Sequence, residues 1–297
     1  MPVKPTIPPP RRNSHAPTAF VPPPGSCDAH CHVFGPASKF PYSPKRTYTP
    51  PDSGYADLVE LQARLGLDRA VVVQASCHGT DNSALLDALR TGRGRFAGVA
   101  MIDDSHTDDE LAQLDRAGVR AIRFNFVRHL GGGPDIEMLL RLVERVAPFG
   151  WHLDLHFDAE GIVEHQQLLE SLPVSFIVDH MARVTAGLGI DQPPFQALLA
   201  LLERNKRAWV KISGAERITE LGRPPYDDVV PFARAVIAVA PNRVLWGTDW
   251  PHPNVRHMPD DGDLVDLLAA FAPDEEVRNR ILVANPERLY RFSTAPG

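Results

Sequence analysis

Ser26-Cys27-Asp28-Ala29-His30-Cys31-His32 reads as a strand that ends in side chains able to hold a metal, a proton or a substrate. Successive strand side chains point to opposite faces. The spacing therefore predicts Asp28, His30 and His32 on one face and Cys27, Ala29 and Cys31 on the other. Two imidazoles at one strand end are costly to bury without partners. A pair of hydrogen-bonded structural histidines accounts for the stretch as well as a metal or substrate site does, so the rest of the chain decides.

Working outward, an apolar strand, a polar tip and a helix recur. Further strands are expected at 70–75, 96–102, 119–124, 151–156, 174–178, 209–213 and 243–247. Helices are expected at 55–65, 82–90, 108–117, 136–149, 162–170, 195–204 and 227–239, then at 263–271, 275–282 and from 285. Near-continuous apolar strands alternating with helices mean parallel strands covered on the outside. Eight such units in roughly 265 residues predict an α/β protein of the (β/α)8 TIM-barrel type, where chemistry sits at the C-terminal strand ends. A doubly wound open sheet would want a glycine-rich phosphate loop after the first strand. Histidines stand there instead.

Composition bounds the partners. The 297 residues are 43% hydrophobic and 23% charged, ordinary values for a soluble globular protein. The net charge is −6 and no basic tract is present, which argues against nucleic acid. No apolar run approaches membrane-spanning length. The odd number of cysteines, Cys27, Cys31 and Cys77, suggests reduced thiols and a cytoplasmic protein. Cys27 and Cys31 read as small apolar residues, because no second cysteine pair follows to complete a zinc site. Residues 1–25 are proline-rich and aperiodic, so a partly disordered extended arm is expected ahead of a barrel domain over 26–297. Arg11-Arg12 is not followed by the apolar stretch of an export signal. The irregular segment 33–53 is too long for a simple connection, which points to a functional loop.

Counting back two at a time from each strand tip gives the expected inward set. It holds Asp28, His30 and His32; Gln74 and Ser76, with His78 beyond; Arg123 and Asn125; and Asp154 and His156. It continues with His180 above Val174, Phe176 and Val178; Lys211 and Ser213; and Asp249 above Leu245 and Gly247. A single buried Arg or His is more often a satisfied structural group than a functional one. Polar tips on seven strands converging on one rim are hard to explain as packing.

The ordered set of His30-x-His32, His180 and Asp249 resembles the amidohydrolase superfamily in its amidohydrolase-2 branch. The stretches FGPASKFPYSP, YTPPD, VQASCHGTDN, RFNFV, LHFDA, VDHMARV, SGAERI and WGTDWPHPNV are similar to the branch's pyrone-dicarboxylate lactonases, from about residue 26 to residue 292. The resemblance implies opening of a cyclic pyrone dicarboxylate by water, in the catabolism of lignin-derived aromatics. It implies Asp249 as base, with His30, His32 and His180 at the lactone carbonyl. The substrate carboxylates would be held by Arg123, Arg217, Tyr48 and Ser76, and by one of Arg128 and His129, with His78 and His156 available to line the pocket. The implied partner is thus a small anionic carboxylate.

The same resemblance implies no cofactor and no metal, although most of the superfamily binds one. The chemistry agrees, since a pyrone's enolate leaving group is far better than an alkoxide. No lysine stands at the end of the fourth strand to bridge two metals as a carbamate. A mononuclear site from His30, His32, His180 and Asp249 stays open by geometry. An acidic chain repels a dianion, so local arginines must overcome this, each gripping a carboxylate through two parallel bonds. Arg183 fits that role or a surface ion pair equally. The alternatives are a metal-dependent member acting as a sugar-lactone hydrolase, isomerase or decarboxylase, and a binding protein on the same barrel.

Overall fold

The computed structural model describes residues 4–292 apart from Gly131. The first three residues of the expected arm, Gly131 and the end of the expected barrel domain lie outside the described residues. Eight parallel strands run β1 (Cys27–Cys31), β2 (Arg69–Val73), β3 (Phe96–Ala100), β4 (Val119–Asn125), β5 (His152–His156), β6 (Phe176–Val178), β7 (Ala208–Lys211) and β8 (Val244–Leu245). They pair in sequence order. The turn after β8 closes the circle onto β1: Ala29 N–H donates to Trp246 O at 2.9 Å, Asp249 N–H to His30 O at 2.8 Å and His32 N–H to Trp250 O at 2.7 Å. This is a closed (β/α)8 barrel.

Helices form where the apolar period and the end signals agree. Thr107 caps the helix Asp108–Arg116, its Oγ1 accepting from Glu110 N–H while the Glu110 carboxylate accepts from Thr107 N–H at 2.7 Å. The helix Tyr55–Leu65 stops at Gly66, whose φ of 73° favours glycine. Among the described residues no helix is long and apolar enough to cross a membrane. The outer core lies between strands and helices, and includes Ala70, Val72, Ile122, Leu153, Phe176 and Val178. Alternate strand residues, Val71, Val73, Ala97, Val99, Ala121, Ile177, Trp209 and Leu245, fill the barrel itself.

Three expected strand faces are corrected. Cys27 and Ala29 point into the barrel and Cys31 out of it. The register shifts between Asp28 and Cys31, as at a bulge, so the face changes partway along β1. Asp28 leaves the rim and ties the β1–β8 seam, accepting from Thr248 N–H at 2.9 Å, Thr248 Oγ1 at 2.6 Å and His30 N–H at 3.1 Å. In β2, Val71 and Val73 face inward, and Gln74 turns outward to donate to Gly79 O at 3.0 Å and Asp81 O at 2.8 Å. In β6 the inward residue is Ile177, which sends Asp179 rather than His180 down the strand's inner face. Part of the proline-rich arm touches the barrel, with Thr18 N–H donating to Asp266 Oδ1 at 2.7 Å. Ser14 is buried there, and its Oγ donates to Asp261 Oδ2 at 2.9 Å.

Candidate active site

The C-terminal strand ends surround a narrow cleft. It is lined by His32, Tyr48, Ser76, Arg123, His129, His156, His180, Arg217 and Asp249, with Arg183 and Asn254 at its margin. Ten of the twelve residues named from the family pattern thus gather at one place, once His30 is counted through its contact with Asp249, Nε2 lying 3.6 Å from Oδ1. Arg128 is one exception. Its side chain is 78% exposed and pairs with Glu164 at 3.3 Å outside the cleft, so the basic residue that faces the pocket is His129. His78 is also outside. It packs on Tyr42 at 4.9 Å between ring centres and bonds Pro41 O at 3.3 Å.

Asp249 sits in the turn after β8 with φ 65°, which aims its side chain across the barrel mouth. Its Oδ1 lies 3.3 Å from His32 Nε2, and its Oδ2 lies 3.9 Å from His180 Nε2. The Arg217 guanidinium grips Oδ2 through Nε at 2.5 Å and through Nη2. Burial would raise the Asp249 pKa, but Arg217 first, then His180, His32 and His30, hold it well below the usual carboxylate range.

One segment after β7 builds much of this. Ser213 Oγ lies 2.8 Å from His180 Nδ1, Gly214 leaves room for that ring, and the short helix Ala215–Ile218 carries Arg217 to Asp249. A Cβ at Gly214 would come 3.0 Å from His180 Cβ, and the residue's φ is 76°. His180 itself reaches the cleft through a left-handed turn, since residues 180–183 all have φ between 49° and 56°. Burial holds His180 below the ordinary histidine range and, with the Arg123 charge, holds His156 well below it. Arg123 Nη2 donates to His156 Nδ1 at 3.1 Å, and the residue is 6% exposed.

Below the cleft lies a layer that strand alternation indicates but does not interpret. Lys211 is fully buried between Asp154 Oδ2 at 2.5 Å and Asp179 Oδ1 at 3.0 Å, and its Nζ reaches His30 Nδ1 at 3.0 Å. Lys211 and Asp154 lie two residues below Ser213 and His156, so opposite charges on the inner faces of two strands were the available signal. Asp179 follows the inward Ile177 by two residues, opposite in phase to the expectation for β6.

Most of the superfamily implies a divalent metal here. Atoms of His30, His180 and Asp249 do come within 4.8 Å of one another. The set does not fit a dication, because Arg217 already occupies Asp249 Oδ2 and would press a fixed positive charge against it.

Comparison with known proteins identifies the family. The amidohydrolase model of the Amidohydro_2 family matches residues 27–292. A 2-pyrone-4,6-dicarboxylate hydrolase of Comamonas testosteroni is 45% identical over 91% of this chain and 92% of its own length. A 4-sulfomuconolactone hydrolase of Hydrogenophaga intermedia is also 45% identical, over 92% of this chain and 91% of its own. A crystal structure from Agrobacterium tumefaciens superposes with a TM-score of 0.82 at 32% identity, covering 92% of this chain and 98% of that one. The chain is a member of the amidohydrolase family, in its amidohydrolase-2 branch, and it is similar to two lactone hydrolases.

Proposed function

We propose that the protein hydrolyses the lactone of a small dicarboxylic acid, 2-pyrone-4,6-dicarboxylate or a close analogue, without a metal, in the cytoplasmic breakdown of aromatic compounds. The observation that carries this reading is one carboxylate, Asp249, facing a cleft whose other polar walls include cations, imidazoles and hydroxyls. Arg123, Arg217 and His129, with Tyr48 and Ser76, offer charge-assisted and hydroxyl bonds to the substrate's two carboxylates. Burial pushes the Tyr48 hydroxyl up, so it stays a donor. That the three cysteines are free and buried supports a reducing compartment.

In this reading Asp249 takes a proton from water as its oxygen adds to the lactone carbonyl carbon. His30, His32 and His180, with His156 beside them, stabilise the charge that develops on the carbonyl oxygen. The ring C–O bond then breaks, the enolate leaves, and the proton held on Asp249 passes to it. A conjugated enolate departs readily, so a positioned base and donors suffice without Lewis-acid help.

Purified protein is mixed with the pyrone, and loss of the ring's ultraviolet absorbance is followed before and after exhaustive chelation. Equal turnover in both is expected. Loss on chelation with recovery on adding zinc would overturn the metal-free reading, and an inert protein would overturn the substrate. A sulfonated muconolactone is the second reading, favoured by the equal similarity to the 4-sulfomuconolactone hydrolase. The same assay with that lactone ranks the two.

A further inference from the structure

Lys211 stands at the centre of the barrel with no exposure to solvent. An ammonium has three N–H donors and nothing to accept with. Three acceptors surround it: Asp154 Oδ2, Asp179 Oδ1 and His30 Nδ1. Burial disfavours the charged lysine, but Asp154 and Asp179 outweigh it and raise the Lys211 pKa. The cation must therefore donate to His30 Nδ1, which leaves the ring's single proton on Nε2.

Asp179 Oδ1 is the rival, 3.3 Å from the same Nδ1. If it took an Nδ1–H, that hydrogen and the third ammonium hydrogen would point at each other across 3.0 Å. Burial first, then the Lys211 charge, also holds His30 well below the ordinary histidine range, so the ring is neutral. Among the described residues its Nε2 has no hydrogen-bond partner, and it lies 3.6 Å from Asp249 Oδ1 in the cleft. A buried donor without a partner marks where an electronegative substrate atom would sit.

We infer that Lys211, clamped by Asp154 and Asp179, is a positioning residue that fixes His30 as the Nε2–H tautomer. His30 is then a permanent donor to a substrate oxygen, and the nitrogen it turns to the cleft has no lone pair for a metal. The consequence for catalysis rests on the lactonase reading; the tautomer does not.

The test is nuclear magnetic resonance of the full chain labelled with nitrogen-15 in its histidine rings, with a His30→Gln variant to assign the signals. Native His30 is expected to be neutral and protonated on Nε2. Protonation on Nδ1, or on both nitrogens, overturns the inference. A charge-balanced double variant, Lys211→Met with Asp154→Asn, is expected to move the His30 proton to Nδ1. It should lower kcat about 10²–10³-fold, the usual worth of one oxyanion donor, with KM within about threefold. A folded double variant with His30 still protonated on Nε2 removes Lys211 from the role. Should that variant not fold, the native spectrum alone decides. Nε2–H on His30 in a protein inert toward lactones supports the tautomer and overturns the lactonase reading instead.

Discussion

The pairing of Arg217 with Asp249 joins two residues that the sequence assigns to different tasks, a substrate clamp and a base. A carboxylate held far below its ordinary pKa is a weak base at neutral pH. The pair makes sense if a substrate carboxylate draws Arg217 to itself on binding. Asp249 then loses its strongest charge partner, burial acts on it unopposed by that partner, and its pKa climbs toward a useful value. The base must be deprotonated to work, so activity falls as pH drops through the relevant pKa. The acid limb of kcat/KM, which reports the free enzyme, should lie below the ordinary carboxylate range. The limb of kcat, which reports the complex, should lie at higher pH. Coincident limbs in the two pH–rate profiles would refute the exchange. Arg217→Met should move the kcat/KM limb up in pH and reduce kcat/KM by about 2–5 kcal/mol, because a charge-assisted pair is lost in a desolvated site. Asp249→Asn keeps the shape and removes the base. It should lower kcat about 10²–10⁴-fold with little change in KM, and near-native turnover would move the base to another residue.

At the scale of elements, the closing turn after β8 is the most demanding joint. A Cβ on Gly247 would lie 2.3 Å from His30 N, 2.7 Å from Asp28 Oδ1 and 2.8 Å from His30 Cβ. None of these atoms is a free side-chain end that can swing away. Gly247→Ala should therefore cost about 1–3 kcal/mol in denaturant unfolding, as overpacking does. It should also lower kcat about 100-fold by displacing His30. Native stability and activity together would show that the seam gives way easily. This joint also shows what could be read from the sequence. The eight strand–helix units, their order and the rim residues were legible because apolar runs and helical periods depend on local sequence. Strand phase was legible where the strand is regular, as in β4, β5 and β7, where Arg123, His156 and Lys211 face inward. It failed in β1, where a register shift changes the face, in β2, where Gln74 turns outward, and in β6, where a left-handed turn brings His180 to the site. Bulges and left-handed residues are fixed by contacts across the seam, which one strand's own sequence does not carry. His129 and Arg128 could not be told apart for the same reason: the short turn Arg128–Leu130 has no period to count.

At the scale of the molecule, a line of buried polar groups joins the N-terminal arm to the cleft. Ser14 donates to Asp261, and Asp261 Oδ1 lies 2.9 Å from His252 Nε2. His252 Nδ1 lies 3.6 Å from Glu216 Oε1, which is 3.6 Å from Arg217 Nε. Glu216 thus backs the arginine that holds Asp249, and the arm closes the far end of the line. Removing the Ser14 hydroxyl leaves a fully buried carboxylate with one donor fewer, so Ser14→Ala should cost about 1–3 kcal/mol. His252 makes the sharper case. Burial opposes its charge, but Asp261 first and then Glu216 outweigh it and push the imidazole up to about 10. A folded-state pKa raised above the unfolded value of 6.5 means that folding binds a proton. The resulting stability is complete below about pH 6.5 and is lost as pH rises through 10. Equilibrium unfolding in denaturant should accordingly show stability falling across this window by a few kcal/mol, on the order expected for such a shift. His252→Gln cannot take up the proton. It should be less stable at pH 6.5, and its stability should change far less between pH 6.5 and 10. Parallel curves for the two proteins would mean that His252 is neutral in the fold and that Asp261 and Glu216 are held by other means.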